Sequence, residues 1–319
     1  MRQWLAILGF VLGGVVVQAS ELGRIGFPKA EWITENTVRI PFALVDHLIV
    51  VEASVLGQKG GFIIDTGAET LILNKVHCPK NLPMKKKTHS SSGVMSAMSD
   101  TFQNMIEKLS LTTYFSIPNK RADILDLSHI EKQKKVKILG IMGHSVLKDY
   151  EIFVDFYLRQ ITLSKLDKSG NTLDRDVYLE RITDSLDFKL NRHAIVLSAT
   201  INKSSLTLGL DTAAELNQLT PKANSRILKY FYPKERVKVM GVSQRKKEVL
   251  IGDLHRMKLS ETVFMGPMTT MLSRMDHMNQ AFGTELDGLI GYEFLKQKRT
   301  IINYKKRKLY FISFPIVQK

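Results

Sequence analysis

Phe62-Ile63-Ile64-Asp65-Thr66-Gly67-Ala68-Glu69-Thr70 sets one carboxylate at the end of an apolar run and follows it with a hydroxyl and two of the smallest residues. An acid used for chemistry in such a place would want a second carboxylate beside it, because two acids sharing a proton supply a base and an acid together. The chain offers that partner itself. Shifted by 146 positions, Asp65 falls on Asp211 in Leu208-Gly209-Leu210-Asp211-Thr212-Ala213-Ala214-Glu215-Leu216, and residues 47–70 align with 193–216 without a gap. Eight of those 24 pairs are identical: His47/His193, Ile49/Ile195, Val50/Val196, Ala53/Ala199, Asp65/Asp211, Thr66/Thr212, Ala68/Ala214 and Glu69/Glu215.

Shifted by 148 positions, the later parts align as well. Gly93-Val94 meets Gly241-Val242, His129 meets His277, Gly140-Ile141-Met142-Gly143 meets Gly288-Leu289-Ile290-Gly291, and Leu147-Lys148 meets Leu295-Lys296. A single two-residue insertion reconciles the two offsets, which is the signature of a tandem duplication. The expected units are residues 38–166 and 186–315. A polar linker over 167–185 joins them, and a lead-in over 20–37 is left unplaced.

Within each unit the pattern is mostly strand. Leu48 to Val55 and Ala194 to Ile201 are β-rich, and turn residues lead each back into an apolar strand that ends on the Asp. A second hairpin is expected in each unit, turning near Tyr157-Leu158-Arg159 and Lys305-Lys306-Arg307. Helix is expected only in short pieces, His144 to Lys148 and Tyr292 to Lys296.

In order and spacing, Asp65-Thr66-Gly67-Ala68, the mid-unit Ser92-Gly93-Val94 and the hydrophobic-hydrophobic-Gly of Ile141-Met142-Gly143 resemble the retropepsin-like lobe of the aspartic proteases. The second unit repeats the pattern with Asp211-Thr212-Ala213-Ala214, Met240-Gly241-Val242 and Leu289-Ile290-Gly291. The resemblance implies an all-β fold of two retropepsin-like β-barrel lobes related by a pseudo-two-fold axis, with Asp65 and Asp211 face to face in the cleft between them. It implies an aspartic endopeptidase in which the two Asp activate water and polarise the scissile carbonyl, with no metal and no cofactor. Thr66 and Thr212 would lock the two loops across the axis. Gly67, Ala68, Ala213 and Ala214 would shape them, and Gly93 and Gly241 would lie in flaps. The implied partner is a peptide or protein substrate, and a chain carrying both lobes is expected to be a monomer with an intramolecular pseudo-dimer.

One departure stands out: Ala213 occupies a position where the family usually has Gly. Together with the lack of a Tyr near Gly93, it motivates a rival reading, a non-catalytic peptide-binding protein on the same scaffold. The recurring His129/His277 and His47/His193 are expected to be structural, not catalytic.

Composition bounds the rest. With 44% hydrophobic residues in 319, the chain can build a core and is not of the disordered class. Arg2 followed by the uncharged apolar run Trp4 to Val17, with small residues near Ala19, reads as a signal peptide over 1–19. The run falls short of the ~20 apolar residues a spanning helix needs. Export to the periplasm or the medium is therefore expected. Cys78 is the sole cysteine, so no internal disulfide is expected. The net charge of +15 is spread over runs that fall at turns; it would also suit weak attraction to anionic envelope surfaces. A nucleic-acid partner is not expected, since no basic-aromatic platform or zinc-finger spacing is present.

Overall fold

In each half of the chain, short alternating segments separated by tight turns build antiparallel hairpins, and these are gathered into mostly β architecture: a closed six-stranded barrel and a curled half-barrel sheet, consistent with a two-lobed acid protease. The computed structural model describes residues 26–86, 101–174, 181–240 and 246–313, together with the two-residue strand Val11–Leu12. Most of the expected signal peptide and both flap candidates, Gly93 and Gly241, lie outside the described residues.

The barrel is built from Leu48–Val55, Gln58–Ile64, Ile138–Met142, Leu71–Asn74, Ser116–Leu125 and Phe102–Ser110. Gln58–Ile64 and Ile138–Met142 pair parallel, as do Leu71–Asn74 and Ser116–Leu125. Pairing of Ser54 with Ser110 and of Val55 with Leu109 closes the ring, so this sheet presents no long free edge there.

The second half repeats the arrangement. Ala194–Ile201 and Ser204–Leu210 lie 146 positions after Leu48–Val55 and Gln58–Ile64. Gly288–Ile290 again runs parallel to the strand that ends on the Asp, as Ile138–Met142 does in the first half. Helices Asp276–Phe282 and Tyr292–Leu295 lie 148 positions after Ser128–Lys134 and His144–Leu147. The expectation of helix only after the second Gly is thus too narrow: Ser128–Lys134, Asp276–Phe282 and Ser225–Leu228 are also helical. Ser128-His129-Ile130-Glu131-Lys132-Gln133-Lys134 is under two turns long and carries one aliphatic residue, so no helical stripe can be read from it. The second hairpins turn where the sequence puts them, with strands Tyr150–Asp155 and Gln160–Lys165 in the first half and Arg299–Asn303 and Lys308–Ile312 in the second.

Six strands join the halves in one sheet, in the order Thr37–Val45, Gln160–Lys165, Tyr150–Asp155, Arg299–Asn303, Lys308–Ile312 and Ile182–Asp187. Ile182–Asp187 begins inside the stretch expected as linker. Glu31–Trp32, from the lead-in, adds to the outer side of Thr37–Val45. At the centre of the seam Phe153 pairs with Ile301. Since 301 − 153 = 148, these are matched positions of the two halves, and a local two-fold axis passes between them. Ile152↔Ile302 and Val154↔Thr300 lie on either side. One apolar core runs through both halves, including Ile64, Leu71, Met142, Val154, Leu210, Ile290 and Ile302.

Candidate active site

Each Asp is delivered by a strand and held by a crossing one. The backbone N–H of Asp65 donates to Met142 O at 3.1 Å and that of Asp211 to Ile290 O at 3.0 Å. The following glycines let the helix after each strand close on the Asp loop. His144 N–H donates to Ala68 O at 2.8 Å, and Tyr292 N–H to Ala214 O at 3.0 Å. A Cβ on Gly143 would lie 2.4 Å from Thr70 O, and one on Gly291 2.4 Å from Ala214 O. No side chain fits at such distances, which is the physical content of a Gly at this place in both units.

The loops interlock through four hydrogen bonds. Thr66 N–H donates to Thr212 Oγ1 and Thr212 N–H to Thr66 Oγ1, both at 3.0 Å. Each hydroxyl then donates across to the other half, Thr66 to Leu210 O at 3.1 Å and Thr212 to Ile64 O at 2.8 Å. All four groups are buried, so each bond satisfies a backbone group that would otherwise be stranded away from water.

This quartet sets the two carboxyl groups against each other. Asp65 and Asp211 are both buried. A Cβ placed on Gly67 would fall 2.9 Å from Asp211 Cγ and Oδ2 and 3.1 Å from Asp65 Oδ1, so both acids flank one point in space. Asp65 Oδ1 accepts from Gly67 N–H at 2.7 Å and from Ala68 N–H at 3.0 Å, and Asp211 Oδ1 accepts from Ala213 N–H at 2.8 Å. Burial, then the charge of Asp211 and the hydrogen bond between the two side chains, push Asp65 well above the ordinary carboxylate range. Burial also raises Asp211, against the pull of the Ala213 N–H and of Asp65. A pair in this state holds one proton between the two carboxyl groups, and its titration belongs to the pair.

Ala213 is buried and belongs to an apolar cluster with Leu48, Val50, Ile63 and Ala68 of the first half. Its methyl is accommodated by the packing between the halves. Ala68 and Ala214 are buried at the matched positions beside it.

The recurring pair His47 and His193, expected to be structural, lies beside the site with neighbours that the sequence did not single out. His47 and His193 each reach the other half: His47 Nδ1 lies 3.2 Å from Glu215 O, and His193 Nε2 lies 3.0 Å from Gly67 O. Their recurrence in both units was the available clue. His47 stacks on Tyr292 with centroids 4.1 Å apart, while His193 lies 6.4 Å from His144. Burial lowers His144 to about 4, with the neighbouring His193 and Lys148 adding to it. Tyr304 meets His144 edge-on at 4.8 Å, and its buried hydroxyl has no hydrogen-bond partner among the described residues. Burial, and then the charges of Asp65 and Asp211, hold its phenol protonated. Lys134 of the first half pairs with Glu215 of the second at 2.5 Å. Burial nevertheless raises Glu215 to about 7, against the pull of Lys134. Nothing in the composition distinguishes Tyr304 or Lys134 from ordinary core and surface residues.

The model of the retroviral aspartyl protease family matches residues 49–152. That segment carries Asp65 and most of the barrel. No curated protein matches the chain.

Proposed function

We propose that the chain is an aspartic endopeptidase whose catalytic pair is Asp65 and Asp211. The observation that carries this is the meeting of both carboxyl groups at Gly67, held by the threonine quartet. In the mechanism, the ionised member takes a proton from a water lying between the two acids. The protonated member donates a hydrogen bond to the scissile carbonyl as negative charge develops on its oxygen. The tetrahedral adduct collapses as a proton passes to the leaving amine, and the pair returns to its single-proton state. The substrate is a peptide in extended form. The duplication, the single-chain pseudo-dimer, and export after removal of residues 1–19 are parts of the same reading.

The test is cleavage of an unfolded protein substrate between pH 3 and 7 by the purified chain and its Asp65→Asn and Asp211→Asn variants. Each variant is expected to lose at least about a thousandfold in kcat/KM. Cleavage by either variant at the parental rate would sink the proposal. The rival reading, a peptide-binding protein without turnover, predicts that all three proteins bind peptide and none cleaves it.

A further inference from the structure

We propose that His193 is a positioning residue that acts on Asp65 through a single peptide unit, the amide joining Gly67 to Ala68. The inference rests on the dyad reading above and deepens it. A carbonyl oxygen only accepts hydrogen bonds. The 3.0 Å contact between His193 Nε2 and Gly67 O therefore requires the imidazole to carry its proton on Nε2 and donate it. The N–H of that same amide belongs to Ala68, and it donates to Asp65 Oδ1 at 3.0 Å. Donation into the oxygen of an amide polarises the whole group and makes its N–H a stronger donor. The chain of contacts is thus imidazole to carbonyl, through one amide, to carboxylate. Its first member comes from the second half of the chain and its last from the first.

The relay is one-sided, although the fold is nearly two-fold symmetric. His47, matched to His193, contacts Glu215 O. The N–H of that amide is Leu216's, while Asp211 Oδ1 is served by Ala213 N–H. The histidine of the far half therefore feeds Asp65 through its amide, whereas His47 does not reach the Ala213 amide that serves Asp211. That gives a symmetric pair of acids a built-in difference.

Glu69, Arg192 and His144 face His193; burial lowers its proton affinity, while Glu69 and the Gly67 carbonyl act in the opposite sense. Asp65 faces Asp211 and the phenol of Tyr304. The contact requires only a proton on Nε2, so the imidazole is a fixed donor whose role is to favour the ionised form of Asp65.

The experiment follows the carboxyl carbons of the dyad by NMR as pH is varied, in protein carrying carbon-13 in its aspartate side chains. It compares the parent with His193→Leu, His193→Asn, His193→Gln and His47→Leu. Without a donor, His193→Leu is expected to raise the upper apparent pKa of the dyad by about half to one unit. His193→Asn, too short to reach, should do the same and covers the case in which the Leu variant does not fold. His193→Gln, which keeps an N–H at similar reach, should titrate near the parent, and His47→Leu should leave the dyad titration in place. In a cleavage assay the alkaline limb of kcat/KM should move up with the same pKa, with the loss falling on kcat and not on KM. A parental titration in both His193→Leu and His193→Asn would overturn the proposal. So would equal shifts in the Gln variant, or an equal shift from His47→Leu. The titration is readable whether or not the protein cleaves peptides, so failure of the protease reading would be seen separately, as absence of cleavage by the parent.

Discussion

At the residue scale, the two units treat the position after Asp-Thr differently, and the surroundings say which change each tolerates. A methyl on Gly67 would meet the Asp211 carboxyl at 2.9 Å and Asp65 Oδ1 at 3.1 Å, closer than ordinary contact and at the point where the acids meet. Gly67→Ala is therefore expected to push the carboxyls apart and lower kcat by about a hundredfold, the order that a displacement of about 1 Å costs at a reacting centre. Ala213→Gly removes a methyl packed in an apolar cluster. It should cost about 1–2 kcal/mol of stability from the lost burial and the freer backbone, while leaving kcat/KM close to parental. Urea denaturation and peptide cleavage on both variants check the pair of expectations; a severe loss of activity in Ala213→Gly would contradict them. The recurrence of Asp-Thr made the two acids and the two threonines legible in sequence, because identical residues at one offset demand a common role. Tyr304 and Lys134 were not legible. Their places beside the site come from chain segments far from either Asp in sequence, and a residue's type alone carries no trace of such contacts.

At the scale of elements, the joining sheet is where the two-fold pattern is deliberately uneven. Asp155 and Arg299 are fully buried, with Arg299 Nε and Nη2 donating to Asp155 Oδ2 at 3.0 and 2.7 Å. Asp155 Oδ1 takes the N–H groups of Tyr157 and Leu158. The matched positions, Glu151 and Asn303 (151 + 148 = 299 and 155 + 148 = 303), instead make a carboxyl-to-amide contact at 2.9 Å, and burial raises Glu151 above its ordinary value. Removing one partner of a buried ion pair strands a charge, whereas a carboxyl that readily takes up a proton can lose its partner cheaply. Arg299→Met should destabilise by about 3–5 kcal/mol and Glu151→Gln by less than about 1 kcal/mol, read from urea midpoints at pH 7. Equal losses would show that the seam does not depend on the charged pair. The hairpins of this sheet were legible from apolar alternation around basic turns. Their partnership across 144 residues was not, because alternation fixes which face of a strand is buried and says nothing about which edge it meets. The helices Ser128–Lys134 and Asp276–Phe282 escaped for the opposite reason, being too short for a period to show.

At the scale of the whole molecule, burial of ionisable groups around the site sets two opposing responses to acid. His144 is held near 4 against an ordinary 6.5, so the unfolded chain binds its proton first. Its contribution to stability is complete above about pH 6.5, is lost as pH falls toward 4, and changes no further below. Asp65, Asp211 and Glu215 are raised, Glu215 to about 7. Their contributions are complete below the ordinary carboxylate range and are lost as pH rises through the folded values. Between pH 7 and 4.5 the imidazole therefore weakens the fold while the carboxyls strengthen it, and the parent should show a shallow dependence. His144→Tyr separates the two, because the matched residue Tyr292 shows that a phenol ring starts this helix without strain. The variant no longer pays for an imidazole on acidification. Its Tm at pH 4.5, relative to pH 7.5, should rise above the parent's difference by at least about 2 °C. The same difference in parent and variant would mean that His144 takes up its proton alike in the folded and unfolded chain.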